Sequence, residues 1–193
     1  MARSSRARSS ASGLLLAAIL AVGSAIDLGA HRLDEYLQAA RLAIEIDRIE
    51  LQLELTPGVA VADAILSDLD RDRDGRISAG ERSAYVCEIT RGVTLEVDGH
   101  PLEAHAVAST FPDVAALRTG EGTITVRWAA TLPKLSAGAH TVFFRNGHRR
   151  DVSVYLANAL APVNRRIAIT TQRRDADQRA LTIAYRVLSA TSR

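Results

Sequence analysis

The chain has 193 residues, of which 47% are hydrophobic and 4% are aromatic, and its formal net charge is +2. This length suits one domain, or one domain with a short appendage, and the ordinary apolar fraction with a small net charge excludes an intrinsically disordered chain. The sequence has one cysteine, so a scaffold of disulfides within the chain is also excluded.

The N-terminal segment has the pattern of a secretory signal peptide. Residues 1–13 carry three arginines and no acid, and residues 14–22 form an unbroken apolar run that small residues follow. A basic start, a short apolar run and small residues are typical of such a signal, whereas a membrane-spanning helix needs about 20 apolar residues. We expect residues 1–30 to be the signal peptide and residues 31–190 an exported domain, periplasmic or extracellular, without a transmembrane segment.

Removal of this leader lowers the formal net charge of the chain. Cleavage after Ala25 and cleavage after Ala30 both leave a small residue at the cut, so both positions remain open. Residues 1–30 hold three of the 24 basic and one of the 22 acidic residues, so 21 of each remain. The mature chain is formally neutral and its basic residues are not interleaved with aromatic ones. We therefore expect no nucleic-acid partner.

The first part of the mature chain predicts a β-hairpin. Apolar residues alternate with polar ones over residues 42–46 and again over residues 49–55. This period of two is typical of half-buried antiparallel strands. Asp47-Arg48 supplies the turn, and Pro57-Gly58 ends the second strand.

The pattern then becomes helical over residues 59–69 and again over residues 78–89. The second of these segments contains Cys87 among Ala84, Val86 and Ile89. This setting favours a small buried hydrophobic side chain for Cys87.

Beyond Gly92 the period of two returns, with Asp98-Gly99 as a hairpin turn and residues 109–121 as a loop. Strands are predicted at residues 93–97, from about 102, and at 122–132, 139–145, 152–156, 166–172 and 180–187. Short strands at this spacing favour a mainly β fold, which we expect to be an antiparallel, immunoglobulin-like β-sandwich, with an open barrel as the alternative. The helix–loop–helix at residues 59–90 is then an insertion in that domain.

The junction between the two helices matches the EF-hand calcium loop. Residues 70–81 have acids at the first, third and fifth positions, Gly75 at the sixth, an apolar residue at the eighth and Glu at the twelfth. Calcium takes six to eight oxygen ligands, which short acidic side chains around a sharp glycine bend provide. The predicted ligands are Asp70, Asp72, Asp74, Arg76 through its main-chain carbonyl, Ser78 through a bound water and Glu81 through both carboxylate oxygens. The alternative is a solvated acidic turn.

The charge of this loop predicts weak binding of one calcium ion. Four carboxylates lie beside Arg71, Arg73 and Arg76, which leaves the loop a formal charge of −1. No second loop of this type is visible in the sequence. We expect a dissociation constant of about 10⁻⁴–10⁻³ M, as in extracellular modules, and a structural ion that causes little opening of the helices. Ile77, at the eighth position, is expected to point into the core.

The histidines give a second hypothesis, in which the protein is an accessory that handles nickel, cobalt or copper. Cleavage after Ala30 makes His31 the first residue, and its free amine and imidazole could chelate a transition metal with a further histidine. The candidate partners are His100, His105, His140 and His148. We favour the alternative that these are surface or edge-strand histidines, with His100 in a turn.

No catalytic motif is present. The sequence lacks a Gly-x-Ser-x-Gly elbow, a His-Glu-x-x-His pair and a phosphate-binding glycine loop. We therefore expect the protein not to be an enzyme. A hydrolase with a site assembled from distant residues is the third option.

Several segments together resemble a known family. They are residues 30–37 after the leader, residues 55–58, the loop from Asp72 to Ser78 with Glu81 and Tyr85, and residues 95–102, 143–146 and 152–155. The chain resembles the extracytoplasmic N-terminal domain of bacterial nickel/cobalt exporter-like membrane proteins. In that family the β-rich domain precedes a polytopic membrane domain. The resemblance implies an exported accessory module with an inserted EF-hand that works beside a separately encoded membrane partner.

Overall fold

A computed structural model describes residues 34–189 of the chain. The predicted signal peptide and His31 lie outside these residues. The strands are β1 Tyr36–Ile44, β2 Arg48–Pro57, β3 Val93–Val97, β4 His100–Pro101, β5 His105–Thr110, β6 Ile124–Thr131, β7 Gly138–Asn146, β8 Ser153–Ala159, β9 Ile167–Arg174 and β10 Ala180–Val187. The helices are α1 Val59–Leu69, α2 Ala79–Gly92 and α3 Val114–Arg118.

The first sheet has five strands in the order β5-β6-β2-β1-β8. β1 and β2 form the predicted hairpin, with a register that runs from Tyr36 opposite Pro57 to Ile44 opposite Ile49. β1 begins at Tyr36, before the clear alternation of the sequence, and pairs in parallel with β8, while the other pairs are antiparallel. In this strand order, β8 forms one edge of the sheet and β5 forms the other.

The second sheet has the order β4-β3-β7-β10-β9, and all of its pairs are antiparallel. Asp98 and Gly99 both have positive φ, 49° and 78°, which is the backbone of a type I′ turn. This geometry confirms the predicted hairpin turn between β3 and β4.

One hydrophobic core lies between the two sheets and includes side chains from both. The alternating residues Ile124, Val126, Trp128 and Ala130 of β6 are all buried, with Trp128 the largest of them. The mainly β prediction is confirmed, and the two mostly antiparallel sheets are consistent with a β-sandwich.

The helices α1 and α2 lie where the helical spacing predicted them. α1 starts directly after Pro57-Gly58 and buries Ile65 and Leu69 against the core. α2 starts with a capping box, in which Ser78 and Glu81 satisfy each other's main-chain N–H groups. Burial of one face of each helix fixes the two ends of the loop between them.

Two expectations about residues 79–121 were wrong. Cys87 is exposed, because Tyr85 and Ile89 form the buried face of α2 and Cys87 is two residues from each, on the opposite side. Residues 109–121 are not a simple loop, since they include the end of β5 and the helix α3. Asp113 caps α3 by accepting a hydrogen bond from the Ala116 N–H at 2.7 Å.

Candidate metal site

Three carboxylates converge in the loop between α1 and α2. Asp70 follows the last residue of α1 and is 8% exposed, whereas Asp72 and Asp74 are exposed. One carboxylate oxygen from each lies within 4.8 Å of the others. Within residues 34–189 this is the only group of three or more His, Cys, Asp or Glu side chains close enough to share a metal ion.

The carboxylates also shape the loop through its main chain. Asp70 accepts hydrogen bonds from the N–H groups of Asp74 at 3.1 Å and Gly75 at 3.0 Å. Asp74 accepts one from the Arg76 N–H at 2.8 Å. Gly75 has a φ of +81°, a conformation that L side chains rarely adopt. The glycine bend that the sequence predicted is therefore present.

Glu81 closes the loop from its other end. Its Oε1 accepts a hydrogen bond from the Arg71 N–H at 2.7 Å, and its Oε2 accepts from the N–H and hydroxyl of Ser78 at 2.9 and 2.8 Å. The main-chain hydrogen bond from Ser78 is the largest cause that lowers the pKa of Glu81. Glu81 is thus held as a carboxylate beside the start of the loop.

Five of the six predicted ligands fall into two groups. The structure brings together Asp70, Asp72 and Asp74, while Ser78 and Glu81 bond to each other at the start of α2. Arg76, predicted to act through its main-chain carbonyl, has an exposed side chain. All the predicted donors are oxygens, a set that fits a hard cation such as calcium. Ile77 is half-buried and packs against the core, as expected.

A buried polar network behind the loop was not predicted. The Tyr85 hydroxyl of α2 lies 2.9 Å from the Tyr36 hydroxyl and 3.2 Å from His148 Nε2. The carbonyl of His148 accepts hydrogen bonds from Gln38 Nε2 at 2.9 Å and from the Tyr155 hydroxyl at 2.8 Å. These residues are far apart in the sequence, so no local pattern could reveal the network. It joins the helix that leaves the loop to β1 and β8.

The histidines do not gather at a common site among the described residues. His100 and His105 are exposed, as expected, although His100 begins β4 rather than lying in the turn. His140 contacts Asp98 Oδ2 at 2.7 Å, and this hydrogen bond raises the pKa of His140. His148 is buried, and the His140 side chain is 9% exposed on the interior strand β7, so the expectation of a surface or edge-strand position was wrong for both residues.

Burial lowers the pKa of His148 to about 4, because charging its imidazole inside the protein would cost solvation energy. The same burial raises the pKa of Tyr85 and of Tyr36. The network is therefore uncharged at neutral pH. It stabilises the packing of α2 against β1 and β8 through hydrogen bonds between neutral groups.

In comparisons with known proteins, neither a family model nor a curated protein sequence matches the chain. In residues 34–189, no helix has both the length and the apolar character needed to cross a membrane.

Proposed function

We propose that the protein binds one calcium ion in the loop formed by residues 70–81, and that the ion is a structural clip between α1 and α2. The observation that carries this proposal is the convergence of Asp70, Asp72 and Asp74 within 4.8 Å. Three carboxylates this close repel one another, and a divalent cation would offset that repulsion. Glu81 would complete the ligand set from the first turn of α2.

The surroundings of the loop support a structural role over a sensor role. α1 is anchored in the core by Ile65 and Leu69, and α2 is anchored by Tyr85 and Ile89, all of which are at most 1% exposed. Opening the helix pair would expose these side chains, at a cost of about 1.5–3 kcal/mol for each. The expected dissociation constant of about 10⁻⁴–10⁻³ M corresponds to a binding free energy of about 4–5.5 kcal/mol, which is less than exposing all four side chains would cost.

The proposal also includes an immunoglobulin-like sandwich fold and export from the cytoplasm. An immunoglobulin-like sandwich is supported by the two five-stranded sheets around one core, with a buried tryptophan, Trp128, on a central strand. Export is supported by the leader pattern of residues 1–30. Residence outside the cytoplasm suits a site of millimolar affinity, as in other extracellular modules.

A role beside a membrane partner rests on the family resemblance. Such a partner would require an exposed apolar patch on one sheet face. Among the described strands, the large exposed hydrophobic side chains are Val107 on β5 and Leu156 on β8. These strands are the opposite edges of the first sheet, so the two side chains do not form a common patch.

The test is thermal unfolding of the protein without its predicted signal peptide, measured with calcium, chelator, nickel or copper. A ligand that binds only the folded state stabilises it by RT ln(1 + [L]/Kd). At a calcium concentration tenfold above the dissociation constant this is about 1.4 kcal/mol, or about 3–6 °C for a chain of this size. Stabilisation by calcium alone supports the proposal. Stabilisation by nickel or copper alone would instead favour the transition-metal hypothesis.

A further inference from the structure

The edge strand β8 presents main-chain groups that do not pair with β1. Val152 accepts a hydrogen bond from the Tyr36 N–H at 2.7 Å, which places the main-chain groups of every second residue from Val152 onward against β1. The intervening residues direct their N–H and C=O groups away from the sheet. These residues are Ser153, Tyr155, Ala157 and Ala159.

One half of this edge is covered by side chains of β9. Arg174 Nε donates to the Ala157 carbonyl at 2.6 Å. Gln172 bonds to both main-chain groups of Ala159, at 3.0 Å to the N–H and 3.4 Å to the carbonyl. Such coverage prevents another strand from adding to this part of the edge.

The other half of the edge lies open in a groove of about 470 Å³. The groove, called the β8 groove below, is lined by Arg150, by residues 153–156 of β8 and by residues 176–179 of the β9–β10 turn. In the described part of the chain, no group bonds to the main-chain N–H or C=O of Tyr155. Unpaired main-chain groups on a strand are a template for another extended segment.

Two guanidinium groups and one carboxylate, that of Asp177, line the β8 groove. Arg150 is exposed and takes part in none of the ion pairs found within residues 34–189. Arg179 Nε is sealed from solvent and has no hydrogen-bond partner in this part of the chain, although Asp175 and Asp177 lie 3.6 and 3.7 Å away. Because Arg179 is paired with Asp177, which also lines the groove, Arg150 supplies the net positive charge that an acidic group in the groove would meet.

We propose that the β8 groove binds an extended, acidic segment of a partner polypeptide by strand addition. The main-chain groups of Ser153 and Tyr155 pair with the backbone of the segment, while Arg150 selects an acidic side chain. The coverage of Ala157 and Ala159 limits the added strand to a short stretch. This site is separate from the loop of residues 70–81 and does not require calcium.

The experiment uses a fluorescein-labelled heptapeptide of alternating valine and glutamate as the probe. Binding is followed by fluorescence anisotropy, and hydrogen exchange reports protection of the Ser153 and Tyr155 amides. The comparison peptides carry lysine in place of glutamate, or proline at the central position. The protein variant is Arg150→Glu, with Arg127→Glu on the exposed face of β6 as the matched charge control. Titrations are run with calcium and with chelator.

We expect saturable binding of the acidic peptide, protection of both amides and about tenfold weaker binding to Arg150→Glu. Arg127→Glu should bind as the unaltered protein does, and the proline peptide should not bind. Absence of amide protection at millimolar peptide, or equal binding of the lysine or proline peptide, would overturn the proposal. Self-association through β8 would appear in analytical ultracentrifugation as a dimer that the peptide fails to dissociate. That result would also overturn the proposal.

Discussion

Arg149, in the segment after β7, forms an ion pair with Asp68, in the last turn of α1. Asp68 lies two residues before Asp70, the first carboxylate of the candidate metal site. The side chains of Arg149 and Asp68 are 18% and 35% exposed, so the pair is partly shielded from water. The pair ties the helix that enters the loop to the same segment that holds His148 in the buried network.

This tether predicts a loss of stability in Arg149→Ala. The change leaves Asp68 without its partly buried partner, and we expect the free energy of unfolding to fall by about 1–2 kcal/mol. Arg149 has a positive φ of 46°, so the alanine variant keeps the backbone strain. Arg149→Gly should relieve that strain and be more stable than Arg149→Ala by about 1 kcal/mol. Urea unfolding measures both values, and an Arg149→Ala protein as stable as the original would rule out the tether.

Tyr85→Phe should destabilise the protein through the buried network. The substitution removes the hydroxyl that Tyr36 and His148 contact at 2.9 and 3.2 Å. We expect the free energy of unfolding to fall by about 1–3 kcal/mol, because buried polar groups lose their partner. Tyr185→Phe is the matched control, since the Tyr185 hydroxyl is buried without a hydrogen-bond partner in the described residues. That change should leave stability unaltered or raise it, and equal losses in both variants would contradict the account.

The buried imidazole of His148 predicts a loss of stability in mild acid. Its pKa falls from 6.5 to about 4 on folding, so between these pH values the unfolded chain binds a proton that the folded chain does not. The free energy of unfolding therefore decreases by up to about 3 kcal/mol as the pH falls from 6.5 to 4. Above pH 6.5 it does not depend on His148. His148→Gln should flatten the profile between pH 6.5 and 5, before most carboxylates titrate.

The control for this pH profile is His105→Gln, because the His105 side chain is 76% exposed. That variant should keep the slope of the original protein. His140 acts in the opposite sense, since its hydrogen bond to Asp98 raises its pKa on folding. Its contribution to stability is present at low pH and is lost as the pH rises through the folded pKa. A slope that persists unchanged in His148→Gln would show that His148 is not the titrating group.

Gly75→Ala should disturb the loop itself. The added Cβ meets no neighbour within 4 Å, but the φ of +81° is strained for alanine, at a cost of about 1 kcal/mol. Gly80→Ala in the first turn of α2 is the matched control and should stabilise the protein by about 0.5 kcal/mol, because alanine favours the helix. Thermal unfolding in calcium would separate the two. A Gly75→Ala protein with unchanged stability and calcium response would refute the role assigned to this bend.

The sequence predicted those parts of the structure that local pattern determines. Alternation located β2 and β6, helical spacing located α1 and α2, and Asp98-Gly99 located a hairpin turn. The parallel pairing of β1 with β8 could not be predicted, because it depends on how two distant strands meet. A signal for α3 was present, since Asp113 precedes the run Val-Ala-Ala-Leu-Arg as a helix-capping residue does.

In the candidate site too, local spacing predicted some residues, while contacts between distant elements could not be predicted. The three aspartates and Gly75 were read from the spacing within one loop, and the structure brings the aspartates together. The support behind that loop was missed, because Tyr36, Tyr85 and His148 come from three separate elements. Burial of His148 also shows why a histidine between a turn and a strand cannot be assigned to the surface from its neighbours alone.

Calcium titration by calorimetry on the signal-free chain tests the central claim most directly. The account predicts one site with a dissociation constant of about 10⁻⁴–10⁻³ M and loss of the binding heat in Glu81→Gln. Glu103→Gln, which alters a side chain that is 93% exposed and outside the loop, should bind as the original does. A calcium affinity unchanged in Glu81→Gln, or no saturable heat at concentrations about tenfold above that range, would contradict the account.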